Sequence, residues 1–263
     1  MTPRVQDLQF KDILSSLKPK FCPHESFRTL SSIVARSRTR RIPQIEPKDV
    51  FQSLNTWLTK EGSSLFILRV GPRAEPKARE VTTDMITMLR EKNCHVIWRL
   101  SPPPTESEPS FLHETFTDVI KTLLHQIITL YPSLLESHEL NAAKISSSHT
   151  DSEWISLIHY CFSRISKCYV IIEAKDLFQY EEGHAEWITG LLKVFKELAI
   201  ESTGQGHVLK FLVLCYSNQM ETLEGIGDMT TLLRKPTVIP MSRKHTALHK
   251  KGVKGWTRVT PKL

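Results

Sequence analysis

Two stretches carry side chains suited to phosphate and metal chemistry. The first is Gly71-Pro72-Arg73-Ala74-Glu75-Pro76-Lys77-Ala78. A phosphate-binding loop needs backbone N–H groups at a helix N-terminus, glycines where the chain must approach the oxygens, a lysine and a hydroxyl for Mg²⁺. Against the spacing G-x-x-x-x-G-K-[ST], Gly71 and Lys77 match, while Pro76 replaces the second glycine and Ala78 replaces the hydroxyl. Pro72 and Pro76 remove two possible N–H donors, and Ala78 has no oxygen for a metal. Lys77 keeps a point charge, and Arg73 and Arg79 add to it. The candidate nucleotide contacts are therefore Gly71, Arg73, Lys77 and Ala78, for ATP or GTP with Mg²⁺. The competing reading is a plain strand-to-helix connection, with Pro76 in the first helical turn and Lys77 as an exposed surface lysine.

The second stretch is Ile171-Ile172-Glu173-Ala174-Lys175-Asp176. A nucleotide-hydrolysing sheet needs an apolar strand ending in a carboxylate that reaches Mg²⁺. Glu173 and Asp176 are the candidate metal ligands. Glu173 could equally pair with a nearby cation, and Asp176 could cap a turn. No Cys-x-x-Cys pair exists, and the only His-x-x-x-His spacing worth noting, His245 and His249, lies in a basic tail rather than a predicted helix. A zinc site is not indicated. Ser/His/Asp and Cys/His arrangements cannot be argued from spacing.

The elements that must position these groups alternate regularly. Leu65–Val70, His95–Leu100, Cys168–Glu173 and Val208–Tyr216 are short apolar runs of the kind buried on both faces of a parallel sheet. Thr237–Met241 is a weaker fifth candidate. Helical stripes are expected over Lys77–Glu91, Leu112–Tyr131, Ser133–Ala143, a segment from an Asp151 N-cap through Phe162, and His184–Ala199. Ahead of them, Val5–Leu17, Phe27–Val34 and Lys48–Thr59 are helical, with breaks at Pro19 and Pro23 and an end at Gly62. Ser101–Ser110 holds four prolines and is an extended loop. Strand and helix in this order imply an α/β fold, a mostly parallel sheet of about five strands with helices on both faces. The expected divisions are a helical segment 1–47, an α/β domain 48–241 and a basic tail 242–263.

Charge is unevenly placed. After Asp228 the chain has nine basic and no acidic residues, so residues 1–228 hold 26 basic against 28 acidic. The tail, with Trp256 among its lysines and arginines, suits an anionic partner such as nucleic acid, a nuclear-import address, or a solubilising end. Arg36, Arg38, Arg40 and Arg41 form a second basic group, read as a linker, a helix C-terminus or a phosphate-contacting patch. Five widely spaced cysteines suggest free thiols. No apolar run approaches the ~20 residues that span a bilayer. A cytoplasmic or nuclear setting is expected.

Taken together, the loop at Gly71–Ala78, the strand ending at Glu173 and the leucine-rich helix carrying Gln126 resemble the nucleotide-binding domain of signal-transducing P-loop ATPases. The likeness is to the NACHT-related (STAND) type common in large fungal proteins, over about residues 48–241. The resemblance implies a P-loop NTPase-like fold. In that family the acid strand reads Asp, two residues, Asp, Glu; here Glu173, Asp176 and Leu177 take those places. The strand after it ends near Ser-Arg-Pro, where this chain has Tyr216-Ser217-Asn218-Gln219. With loop, metal acid and sensor arginine altered, the expected function is a non-catalytic interaction or regulatory module with protein partners. The alternatives are a nucleotide-operated switch or ATPase with divergent motifs, and a nucleic-acid-binding protein acting through its tail.

Overall fold

Apolar runs bounded by turn residues fold as the centre of a parallel sheet. The computed structural model describes residues 3–39, 48–101, 114–136, 140, 145, 149–174, 184–216 and 227–234. Three helices come first: α1 (Pro3–Ser16), α2 (Pro23–Thr39) and α3 (Lys48–Thr59). Then follow β1 (Ser64–Val70), α4 (Glu75–Glu91), β2 (Val96–Arg99) and α5 (Phe116–Leu130). A 3-10 turn at Pro132–Glu136 leads towards α6 (Asp151–Ser163), β3 (Lys167–Glu173), α7 (His184–Gly204), β4 (Val208–Tyr216) and β5 (Met229–Leu233).

The five strands are all parallel, in the order β2-β3-β4-β1-β5. The two-residue period of a strand divides the core between two faces. Leu65 and Ile67 of β1, Val170 and Ile172 of β3, and Phe211 and Val213 of β4 face α5, α6 and α7. Phe66, Leu68 and Val70, Tyr169 and Ile171, and Leu212 and Leu214 face α3 and α4. The first helices join these layers, since Ile13 and Leu17 pack in the first and Leu30 in the second.

Several local expectations change. Pro23 starts α2 instead of interrupting it, because a proline at the first helical position gives up an N–H that has no helical partner there. Asp151 is the first residue of α6, and Thr150 is its N-cap: Thr150 Oγ1 accepts from Glu153 N–H (3.3 Å) and Glu153 accepts from Thr150 N–H (2.7 Å). That reciprocal pair is a capping box, and it holds the Glu153 carboxyl below its usual range. An equivalent box between Thr115 and Asp118 starts α5 at Phe116. The helix expected at Ser133–Ala143 is a 3-10 turn through Glu136, and most of its remainder lies outside the described residues. The fifth strand of the sheet is Met229–Leu233; Thr237–Met241 lies outside the described residues. Gly227 and Asp228 bring β5 to β1. Asp228 accepts from Leu65 N–H (2.8 Å) and its own N–H donates back to Leu65 C=O (3.0 Å). A Cβ on Gly227 would lie 2.9 Å from Ile67, so only glycine allows that approach.

At the amino end of the sheet, Lys210 of β4 is buried. Its ammonium donates to Lys60 C=O at the end of α3 (2.7 Å) and to Ser64 Oγ (3.1 Å). Burial, with Lys60 adding to it, depresses its pKa to about 8. A folded pKa below the unfolded one means that the folded state binds fewer protons between pH 8 and 10.5. Stability carried by Lys210 therefore rises with pH across that window. Cys161, Cys168 and Cys215, pushed up to about 12 by burial, act oppositely. They cancel in a comparison of wild type with Lys210→Met. The stability difference, wild type minus variant, should rise by about 1–2 kcal/mol between pH 7.5 and 9.5 in urea titrations. A flat difference would show that Lys210 titrates as an ordinary lysine.

Candidate functional site

In an open parallel sheet, ligands bind outside the carboxyl ends of the strands. The loop after β1, Glu173 at the end of β3 and Tyr216 at the end of β4 all lie there. The register places Glu173 beside Leu214, which in turn lies beside Leu68 of β1.

The loop after β1 is tight. Ala74 N–H donates to Gly71 C=O (3.1 Å), closing a four-residue turn. Gly71 N–H donates across to Leu233 C=O of β5 (2.8 Å), and a Cβ at Gly71 would stand 3.1 Å from that same oxygen. Arg73 has a φ of 60°, a left-handed conformation that costs a non-glycine residue energy. Helix α4 begins at Glu75 with Pro76 in its first turn. Lys77 and Ala78 donate their N–H groups to Ala74 C=O (3.0 and 2.9 Å). The backbone donors of Gly71, Ala74, Lys77 and Ala78 are thus all bonded within the protein. The side chain of Lys77 is 4% exposed. Its ammonium lies 3.2 Å from Glu80 and 5.4 Å from the centre of the Phe51 ring. Glu80 also accepts from Arg38 Nε (3.1 Å), and Arg38 reaches on to Asp84. Part of the expected basic cluster is therefore the last turn of α2, tied to α4; Arg40 and Arg41 lie outside the described residues.

Glu173 is buried and each of its carboxylate oxygens accepts a hydrogen bond. Ser101 N–H donates to Oε2 (2.9 Å) and the Tyr216 hydroxyl donates to Oε1. Burial, and then the neighbouring Glu173 carboxylate, raise the Tyr216 pKa well above the ordinary phenol range, so the hydroxyl stays a donor. The Glu173 carbonyl accepts from Arg99 Nη1, which also donates to Ser101 Oγ (3.0 Å). Arg99 pairs with Glu114 through Nε (2.9 Å) and Nη2, and both side chains are nearly fully buried. Arg79, in the first turns of α4, faces Tyr216 electrostatically, and its Nε has no hydrogen-bond acceptor among the described residues. Asp176 lies outside the described residues. Among the described residues no group of three His, Cys, Asp or Glu side chains could hold a metal ion.

Gln126 of α5 has a backbone role. Its side-chain oxygen accepts from Trp98 N–H (3.1 Å) and its amide donates to Trp98 C=O (2.8 Å). One side chain thereby pairs the outer edge of β2 as a neighbouring strand would, protecting an edge that would otherwise present unpaired groups. Leucine-rich helical spacing locates Gln126, but only the fold shows that it meets a strand edge. Ser101, Tyr216, Arg99 and Glu114 carried no motif, and nothing in their local spacing marks them as neighbours of Glu173.

The chain order strand, loop, helix after β1, with β4 inserted between β1 and the acid-ended β3, is decisive for the architecture. The fold is consistent with that of P-loop NTPases. The sequence matches no protein family and no curated protein. Among solved structures it is similar to one described as "Structure of Drosophila ORC bound to DNA", at 13% identity and a TM-score of 0.34. That alignment covers 89% of this chain and 35% of the other. Among the described residues no helix is long and apolar enough to cross a membrane.

Proposed function

We propose that this chain is a non-catalytic P-loop-like domain that acts as an interaction or regulatory module. The observation that carries this is the closure of the loop after β1: four of its backbone donors are bonded within the protein, and Lys77 is buried against Glu80 and Phe51. A phosphate needs those N–H groups and that ammonium unpaired. Glu173 supports the same reading, since donors from Ser101 and Tyr216 already hold both oxygens that a metal would use. The residues described offer Mg-nucleotide a poor fit, and a positively charged lysine moved from Glu80 to a phosphate would leave a largely buried carboxylate behind. Kinship with the STAND/NACHT type remains part of the proposal on the motifs given above. Protein partners are part of the proposal, and an exposed apolar patch would favour them. The large exposed hydrophobics among the described residues, Ile200 of α7 and Leu232 of β5, lie on separate elements. Nucleic-acid binding through the tail is the second reading, carried by its nine basic residues without an acidic one; its binding should fall steeply with salt and vanish when 234–263 are deleted.

The test is the thermal midpoint with and without millimolar Mg-ATP, for wild type and Lys77→Ala. A native-state ligand at about 100 times its Kd stabilises by ~2.7 kcal/mol. We expect wild type and Lys77→Ala to respond alike, with no shift that depends on Lys77. A rise in wild type that Lys77→Ala abolishes would replace the non-catalytic module with a nucleotide-operated switch.

A further inference from the structure

Trp98, on the outermost strand β2, gathers a group of cations far from the loop after β1. Its indole N–H donates to Pro23 C=O (3.0 Å), and the His24 ring meets it edge-on at 5.1 Å. The Arg90 guanidinium lies 5.4 Å from the Trp98 ring centre and 5.8 Å from that of Phe27. The first turn of α2 and the last turn of α4 therefore close on one indole. Arg28 stands one turn beyond His24 on α2, and His125 comes from α5. These groups sense one another: burial, then Arg90 and Arg28, lower the His24 pKa, and burial, then His24, lowers that of His125.

Among the described residues the cluster has no paired counter-charge. Glu25 and Glu91 are the carboxylates nearest to it in sequence, yet among the described residues no ion pair joins a carboxylate to His24, Arg28, Arg90 or His125. Elsewhere the same helices balance their cations, Arg38 with Glu80 and Asp84, and Lys77 with Glu80. When the imidazoles are protonated the four groups repel one another, and an arriving anion relieves that repulsion.

We propose that His24, Arg28, Arg90 and His125 form a binding site for a small phosphate-bearing anion at the junction of α2, α4 and α5. Arg28 is exposed and offers a bidentate fork, Arg90 is fixed by the two rings beneath it, and each imidazole donates one N–H when neutral and two when protonated. Binding therefore tightens as pH falls through the imidazole range, and bound anion favours protonation in return. His24 and Arg90 meet on a single ring, which suits one phosphate or pyrophosphate group rather than a long backbone track. The cluster stands at the opposite end of α4 from Lys77, roughly 20 Å away by helix rise, and is independent of the function proposed above.

The experiment is an NMR titration of the imidazole resonances of the full chain, with pyrophosphate or with KCl at equal ionic strength. Pyrophosphate should raise the His24 and His125 midpoints by at least half a pH unit beyond KCl. His159, which lies 3.3 Å from Glu201, should not move. Arg28→Gln, an exposed substitution, should weaken pyrophosphate at least tenfold, and Lys77→Met should leave it unchanged. Midpoints that move no further than with KCl would overturn the site. So would an effect lost in Lys77→Met and kept in Arg28→Gln.

Discussion

Arg99→Met should destabilise the protein by about 3–5 kcal/mol, the usual cost of removing one partner from a buried ion pair. Arg99 and Glu114 are only 2% and 4% exposed, so methionine would leave a carboxylate without charge compensation or nearby water. The Glu173 carbonyl and Ser101 hydroxyl would lose their donor as well. Arg99→Met with Glu114→Leu should recover much of the loss, because an apolar pair of similar volume often replaces a buried salt bridge at little net cost. Urea denaturation of the three proteins measures this directly. A single-variant loss below about 1 kcal/mol, the range of exposed pairs, would mean that the carboxyl end of the sheet is open to solvent. An ion pair built for ligand contact would lose affinity rather than stability, so the result also bears on whether this end of the sheet is scaffold.

Phe211→Ala should cost about 3–5 kcal/mol. Phe211 is fully buried on β4, stacked on Phe195 of α7 at 4.4 Å and 14°, and met edge-on by Phe162 of α6 at 5.5 Å. β4 lies in the middle of the sheet, and these rings fasten two helices to it. At roughly 2–4 °C per kcal/mol for a domain of this size, the midpoint should fall by about 10 °C. Phe211→Leu should keep most of the burial and lose chiefly the ring geometry, worth about 0.5–1.5 kcal/mol. Equal losses for alanine and leucine would mean that ring stacking, not buried area, holds the helices.

The sheet was legible because strands covered on both faces must be apolar throughout. Val208–Tyr216 agrees to the residue with β4, and Lys48–Thr59 agrees in the same way with α3, whose apolar stripe is uninterrupted. Strand β5 was not legible. It sits at an edge, alternates between half-buried and exposed positions, and carries two threonines where a central strand would carry aliphatic residues. Its place depends on Gly227 and Asp228 meeting β1, a contact across more than 160 residues of chain.

The sequence by itself determined the alternation of strands and helices, the parallel sheet and the position of the Gly71–Ala78 loop at a strand-to-helix junction. Hydrophobic periodicity is local, so it can be read along the chain. It also showed which phosphate-binding atoms the prolines and Ala78 remove. Only the tertiary structure decided what the remaining polar groups do: Lys77 meets Glu80 and Phe51, Glu173 meets Ser101 and Tyr216, and Gln126 pairs the edge of β2. Apart from Lys77 with Glu80, these partners lie more than 20 residues apart. A buried polar group must find a partner wherever the fold provides one, and side-chain identity alone does not say which partner that is.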